Sequence, residues 1–174
     1  MTTQNTFTPH IDPQDFHNAV SRMRDFFLAK GFVEVHTQNR LSILAACEDP
    51  KTVATYEYAG QVWPLPQTGQ MWLEHELLNN PDLPGVFCLS TSYRNEPNPI
   101  PGRHDIIFPM FEFESHGDMN TMKMMEEELI EYLGFGKAGQ IPGGKWQDVA
   151  DTLGVDDIDA KAEGQLADEH GAAF

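Results

Sequence analysis

The stretch YRNEPNPIPGRHDIIFPMFEFES (Tyr93–Ser115) sets an Arg-x-Glu pair, Arg94 and Glu96, ahead of a proline-rich turn and an aromatic run that carries Glu112 and Glu114. Residues two apart in an extended chain share a face. Arg94 and Glu96 are therefore expected to point together on a strand VFCLSTSYRNE (86–96). On its partner, IIFPMFEFES (106–115), Phe108, Met110, Glu112 and Glu114 share one face, and Ile107, Phe111 and Phe113 the other. Pro109 lacks a donor N–H and assigns that strand an edge or a bulge. If the polar faces coincide, one concave surface collects a guanidinium, carboxylates and an aromatic ring, with Arg103 and His104 in the connecting loop. Arginine suits bidentate contact with phosphate. A phenylalanine face stacks on a base, and a carboxylate accepts from an exocyclic amine. The same residue types also fit an exposed, salt-bridged hairpin, where each pair contributes only about 0–1 kcal/mol. Residue types alone leave both readings open.

Outward from this hairpin, residues 1–12 read as a flexible N-terminal arm. Asp12-Pro13 reads as a helix start, and Phe16, Val20, Met23, Phe26 and Phe27 recur at helical spacing up to Lys30, with Gly31 closing the helix. FVEVHT (32–37) alternates like a half-buried strand, and residues 41–54 read as loop and short helix. TYEYAGQVWPLP (55–66) predicts a hairpin about Ala59-Gly60. QTGQMWLEHELLNN (67–80) predicts a turn leading into a helix, which Pro81, Pro84 and Gly85 end. Asp118 or Asn120 caps the next helix, whose stripe of Met122, Met125, Leu129 and Leu133 is expected to pack in a core. GKAGQIPGG (136–144) reads as a flexible connector, KWQDVADTLG as a short helix, and the remainder as an acidic, Ala/Gly-rich stretch.

Composition narrows the classes of function. Among 174 residues there are 11 Lys+Arg and 27 Asp+Glu. Residues 1–120 hold 7 basic and 15 acidic residues and 121–174 hold 4 and 12, so each part is net −8. An evenly acidic surface repels phosphate backbones and gives no independent sign of a nucleic-acid partner. Cys47 and Cys88 have no CxxC spacing and point to a reducing compartment. The N-terminus has neither a basic nor an apolar signal region, and no apolar run approaches the roughly 18 residues that span a bilayer. A cytoplasmic protein is expected. The seven histidines lack H-E-x-x-H or other ligand spacing, so no metal site is expected from them. Ser90 and Ser92 have no His/Asp arrangement beside them that would suggest a hydrolase.

The order R-x-E, a loop with Arg-His, then F-x-x-F-E-x-E resembles motif 2 of the class II aminoacyl-tRNA synthetases, in particular the aspartate/asparagine/lysine subgroup and its asparagine synthetase A-like relatives. MRDFFLAKGFVEVHT (23–37) resembles the helix and strand of motif 1, and YEYAGQVWPLPQTGQMWLEHELL (56–78) the hairpin and turn that follow it. MEEELIEYLGF and KWQDVADTLGVDDIDAKAEGQL resemble the stretch after motif 2. The likeness is collinear over roughly residues 16–170.

This resemblance implies an α+β fold, with an antiparallel sheet flanked by helices, over residues 13–174. It implies ATP-dependent activation of an amino acid to its aminoacyl-adenylate, with Mg2+ accompanying ATP on ligands outside this chain. Arg94 would be catalytic and bind the α-phosphate, Glu96 would meet the adenine amino group, Arg103 or His104 would reach the outer phosphates, and Phe108 would stack on adenine. Thr68, Gln70 and Glu112 would line the amino-acid pocket. A homodimer is implied through motif 1, and tRNA is a further partner, although no tRNA-binding appendage is recognised. The chain departs from the family at Gln38, where motif 1 carries proline, and at Leu73, where aspartate enzymes carry lysine. Motif 3, with its arginine and the nearby metal carboxylates, is not found in the 174 residues. The catalytic core is therefore expected to be incomplete at its C-terminus, and the chain to exchange pyrophosphate poorly. An aspartate–ammonia ligase and a non-catalytic binding paralogue stay open as alternatives.

Overall fold

The computed structural model describes residues 11–37, 50–100 and 104–171, so residues 1–10 of the arm expected over 1–12, Gln38 and Arg103 lie outside the described residues. The chain divides into two units, one up to His116 and one from Gly117 onward.

The first unit opens with α1 (Pro13–Ala29), started as the sequence predicts. The Asp12 carboxylate accepts from the Gln14 and Asp15 N–H groups at 2.8 and 3.0 Å, satisfying donors that the first turn leaves orphaned. The helix presents Val20, Phe26 and Phe27 inward, and Lys30 and Gly31 end it.

Two strands, β4 (Gly85–Tyr93) and β5 (Ile107–Ser115), form the long hairpin and pair antiparallel from Gly85↔Ser115 to Tyr93↔Ile107. The expected strand from 86 to 96 stops at Tyr93. The Arg94 N–H still reaches the Ile106 carbonyl at 2.8 Å, but the Asn95 N–H turns to Thr52 O at 2.9 Å. Arg94–Ile106 continues the same register as a bonded pair. The alternation of an antiparallel ladder therefore puts Thr91↔Pro109 among the non-bonded pairs, where proline forfeits no ladder bond.

A second expectation is corrected at FVEVHT. Only β1 (Val33–Glu34) is a strand, and it pairs parallel with β4, giving a mixed sheet of order β1-β4-β5. Between β1 and β4 the chain runs through β2 (Thr55–Tyr58), β3 (Gln61–Pro64) and α2 (Gln70–Asn79), a crossover long enough for a parallel return. The β2–β3 hairpin turns at Ala59 (φ 52°) and Gly60 (φ 75°), the positive φ values that a two-residue turn between twisted strands requires.

Side-chain parity decides what each sheet face does. Phe27 of α1 is fully buried against one face, with ring centroids 5.6 Å from Phe87, 5.6 Å from Phe111 and 4.8 Å from Phe113. Phe26 and Phe32 complete the cluster at 5.1 and 5.3 Å from Phe27. The opposite face carries Val86, Cys88, Ser90 and Ser92 on β4 and Phe108, Met110, Glu112 and Glu114 on β5. Leu73 and Leu77 of α2 pack with Val86 and Cys88 at one end of it and leave the rest polar. The burial of Leu73 makes it part of this core.

In the second unit, α3 (Met119–Leu133) is capped by Asp118, whose carboxylate accepts from the Thr121 N–H at 3.0 Å, a bond that holds its pKa below the ordinary value. The expected core packing of its methionine stripe is not found. No residue of α3 is buried, Met122 is 47% exposed, and Met125, Leu129 and Leu133 are half-buried. The connector after it is partly tied down, since Glu127 and Glu131 accept from the Gly139 and Ala138 N–H groups at 2.7 and 3.0 Å. Two helices follow, α4 (Trp146–Leu153) and α5 (Ala160–His170). The second occupies the stretch read only as acidic and Ala/Gly-rich. Asp159 caps it, and Ala162 and Leu166, four apart, are buried.

Candidate functional site

Beyond the end of β4 and the start of β5, Arg94, Glu96, His104, Asp105 and Phe108 line an open cleft of about 260 Å³. The sheet brings Phe108 here by pairing it with Ser92, two residues before Arg94. The Arg94 guanidinium lies over the Phe108 ring, 5.4 Å from its centroid. This geometry is the attraction of a cation for the negative face of a ring. It also shows that both groups address the same space. His104 is fixed by a reciprocal contact with Ile100: its N–H donates to the Ile100 carbonyl at 2.9 Å, and its Nδ1 accepts from the Ile100 N–H at 3.2 Å. With Nδ1 an acceptor, the neutral ring carries its proton on Nε2. Four of the five predicted nucleotide residues are thus together, and the fifth, Arg103, lies outside the described residues. Asp105 is a member of the cleft that the sequence pattern does not single out.

Further along β5, the predicted amino-acid residues also meet. Glu112 accepts from the Thr68 hydroxyl, from the Gly69 N–H at 2.8 Å and from the Ser90 hydroxyl at 2.8 Å. Thr68 Oγ1 in turn accepts from the Gln70 N–H at 3.0 Å, at the first residue of α2. Ser90 is a contributor missed by motif matching, although strand parity places it on this face. Phe108 and Glu112 are four residues apart, roughly 13 Å along the strand. Two bonds sew the segment before this turn to β4: the buried Ser92 hydroxyl donates to Gln67 O at 2.7 Å, and the Tyr93 N–H to Pro66 O at 2.9 Å. A third, from Gln67 Nε2 to Thr52 Oγ1 at 2.7 Å, ties it to the chain just before β2.

Two titratable groups on this face are displaced from their ordinary values. Burial, with repulsion from Glu112 and Glu34 adding to it, pushes the Cys88 thiol up to about 12, against an opposing bond with the Thr37 hydroxyl. Glu114 is raised by burial and by the Glu74 and Glu112 carboxylates. A carboxyl raised by folding binds its proton more tightly folded than unfolded. Its contribution to stability is therefore present below the unfolded value and lost as pH rises through the folded one. Glu114→Gln is expected to raise the urea midpoint at about pH 7. The gain should vanish near about pH 4, where the native side chain is itself mostly neutral. A gain independent of pH would remove the charge explanation.

Among the described residues, no group of three or more His, Cys, Asp or Glu side chains is arranged to hold a metal ion. No described helix is long and apolar enough to cross a membrane.

No protein-family model and no curated protein matches this sequence. Solved structures do match. The asparaginyl-tRNA synthetase from Pyrococcus horikoshii, complexed with asparaginyl-adenylate, is similar with a TM-score of 0.65 and 20% identity, over 88% of this chain and 41% of that one. The Entamoeba histolytica asparaginyl-tRNA synthetase in complex with asparaginyl-adenylate gives a TM-score of 0.68 and 18% identity, over 90% and 40%. A Leishmania major Friedlin protein classed as an aspartyl-tRNA synthetase gives 0.53 and 23%, over 67% and 21%. The chain spans about two fifths of the length of the asparaginyl neighbours. At these identities the likeness is one of fold, and the chain carries a fold of the class II aminoacyl-tRNA synthetase core.

Proposed function

We propose that the polar face of the β4–β5 sheet is an adenylate site, and that the protein activates an amino acid with ATP as a ligase of the aspartate/asparagine/lysine subgroup. The observation that carries this reading is the convergence of Arg94, Glu96, His104 and Phe108 in one cleft, on the same sheet face as the Thr68–Glu112–Gln70 cluster. Arg94 holds the α-phosphate by its planar fork, Phe108 stacks on the adenine, and Glu96 accepts from its exocyclic amine. His104, with Arg103 beside it in sequence, takes the outer phosphates. Thr68, Gln70 and Glu112 border the amino acid, whose carboxylate attacks the α-phosphate and releases pyrophosphate. Catalysis of this kind is mainly positioning and neutralisation of charge, which an arginine at the end of a rigid sheet supplies. Mg2+ enters with ATP as its complex, and no residue of this chain is assigned to it. A homodimer, a tRNA acceptor, a role in protein biosynthesis and a cytoplasmic site of action belong to the same proposal.

The test is calorimetric binding of AMP and of asparaginyl-, aspartyl- and lysyl-sulfamoyl-adenosine to the full chain. One analogue is expected to bind at least about tenfold tighter than AMP, because a second set of contacts adds about 1.4 kcal/mol or more. Failure of AMP and every analogue to bind a folded chain would refute the proposal. Binding of AMP with no gain from any aminoacyl group would reduce it to a nucleotide-binding role.

A further inference from the structure

Glu112 stands where the turn before α2 meets the sheet, and its carboxylate is largely occupied by the protein itself. Of about four acceptor positions on an ionised carboxylate, three are taken by Thr68 Oγ1–H, Gly69 N–H and Ser90 Oγ–H. These donors come from the turn and from β4, so the one side chain ties two elements to β5. The tie continues through Thr68 Oγ1 to the Gln70 N–H, the start of α2.

The packing around Gly69 closes the same joint from the other side. A Cβ there would lie 2.9 Å from Thr37 Cγ2, 3.0 Å from Cys88 Sγ and 3.1 Å from Glu112 Oε2. The turn is therefore pressed onto the sheet at its one glycine and held there by hydrogen bonds on either side. A carboxylate so engaged has little left for a ligand's ammonium group.

We infer that Glu112 is a positioning residue. It sets the Thr68–Gly69–Gln70 turn, and through it the polar groups of Thr68 and Gln70 that meet the amino acid, without itself forming the ligand's ion pair. This inference rests on the adenylate-site reading and deepens it. It makes a distinction that charge alone cannot. The glutamine amide is isosteric with the carboxylate: its oxygen can accept from Gly69 N–H and Ser90, while its NH2 group donates to Thr68 Oγ1. A glutamine should therefore preserve the joint, although it could not pair with an ammonium.

The experiment compares Glu112→Ala, Glu112→Gln, Thr68→Val and the Glu112→Ala/Thr68→Val double variant, each titrated with AMP and with the three aminoacyl-sulfamoyl-adenosines. Glu112→Ala is expected to weaken the best analogue by about tenfold, the scale of one charge-assisted hydrogen bond, while AMP affinity stays unchanged. Glu112→Gln should recover most of that loss, and the double variant should lose no more than Glu112→Ala alone. The inference is overturned if Glu112→Gln loses as much as Glu112→Ala and the single losses multiply in the double variant, since both mark direct contact with the ligand. Amide exchange in the unliganded chain gives a readout that does not depend on the proposed function. Gly69 and Gln70 should exchange about tenfold faster in Glu112→Ala and close to the native rate in Glu112→Gln. Unchanged exchange in Glu112→Ala would sink the inference even if no analogue binds, whereas absent binding with altered exchange would sink only the adenylate reading.

Discussion

Arg94→Ala is expected to lower the affinity for Mg–ATP by about ten- to a hundredfold while leaving the stability of the fold within about 1 kcal/mol of native. A hydrogen bond to a charged group contributes about 1.5–3 kcal/mol net, and a ten- to hundredfold loss is about 1.4–2.7 kcal/mol, the scale of one such bond. Against this, the fold asks little of the side chain. Arg94 is exposed, lies past the last residue of β4, and makes its contact with Phe108 by a surface cation–π interaction of about 0.5–1 kcal/mol. Its backbone N–H, which bonds to Ile106, survives the substitution. Arg94→Lys keeps the charge but not the fork, and is expected to recover only part of the loss. Isothermal titration with parallel thermal melts checks both halves. Native affinity in Arg94→Ala would remove the phosphate role.

The largest effect on stability is expected at Phe27→Ala. This ring touches Phe26, Phe32, Phe87, Phe111 and Phe113, and none of its surface is exposed. Truncating a buried phenylalanine costs about 3–5 kcal/mol, through lost transfer energy and the cavity left behind. A domain whose total stability is about 5–15 kcal/mol is brought to the edge of unfolding by such a loss. The neighbouring residue supplies the control, because Leu28 is 53% exposed on the same helix. Leu28→Ala should shift the urea midpoint little, and equal shifts at the two positions would contradict the packing described. Because α1 holds one sheet face through Phe27, a partly unfolded Phe27→Ala chain should lose the Arg94–Phe108 cleft on the other face as well.

Where local rules are sufficient, the fold is legible in the sequence. Asp12-Pro13 and Gly31 bracket α1 because caps are decided within a few residues. The alternation in VFCLSTSY and IIFPMFEFES gives the two sheet faces directly, since a strand's period is two. That Arg94, Glu96, His104 and Phe108 share one cleft is legible for the same reason, helped by the resemblance of R-x-E and its loop to a known motif. What local rules do not contain is how distant segments return. The parallel pairing of β1 with β4 joins Val33 to Val86 through a crossover that no window along the chain reveals. The three donors on Glu112 come from residues 22, 43 and 44 positions away. The methionine stripe of α3 has core-like periodicity, yet periodicity specifies a face and does not supply what covers it. Among its described side chains helix α5 has two buried apolar ones to mark it, Ala162 and Leu166, so its cap at Asp159 is its clearest local sign.

The central claim, that the end of the β4–β5 hairpin is a nucleotide site, is tested most directly by an NMR titration of the isotope-labelled chain with Mg–ATP. The account predicts saturable shifts concentrated on Arg94, Glu96, His104 and the Phe108 ring, with the ring protons moving upfield as a base stacks on them. Saturable shifts centred elsewhere, or none at these residues at ATP concentrations up to about 10 mM, weaker than the micromolar-to-millimolar range of functional sites, would contradict it.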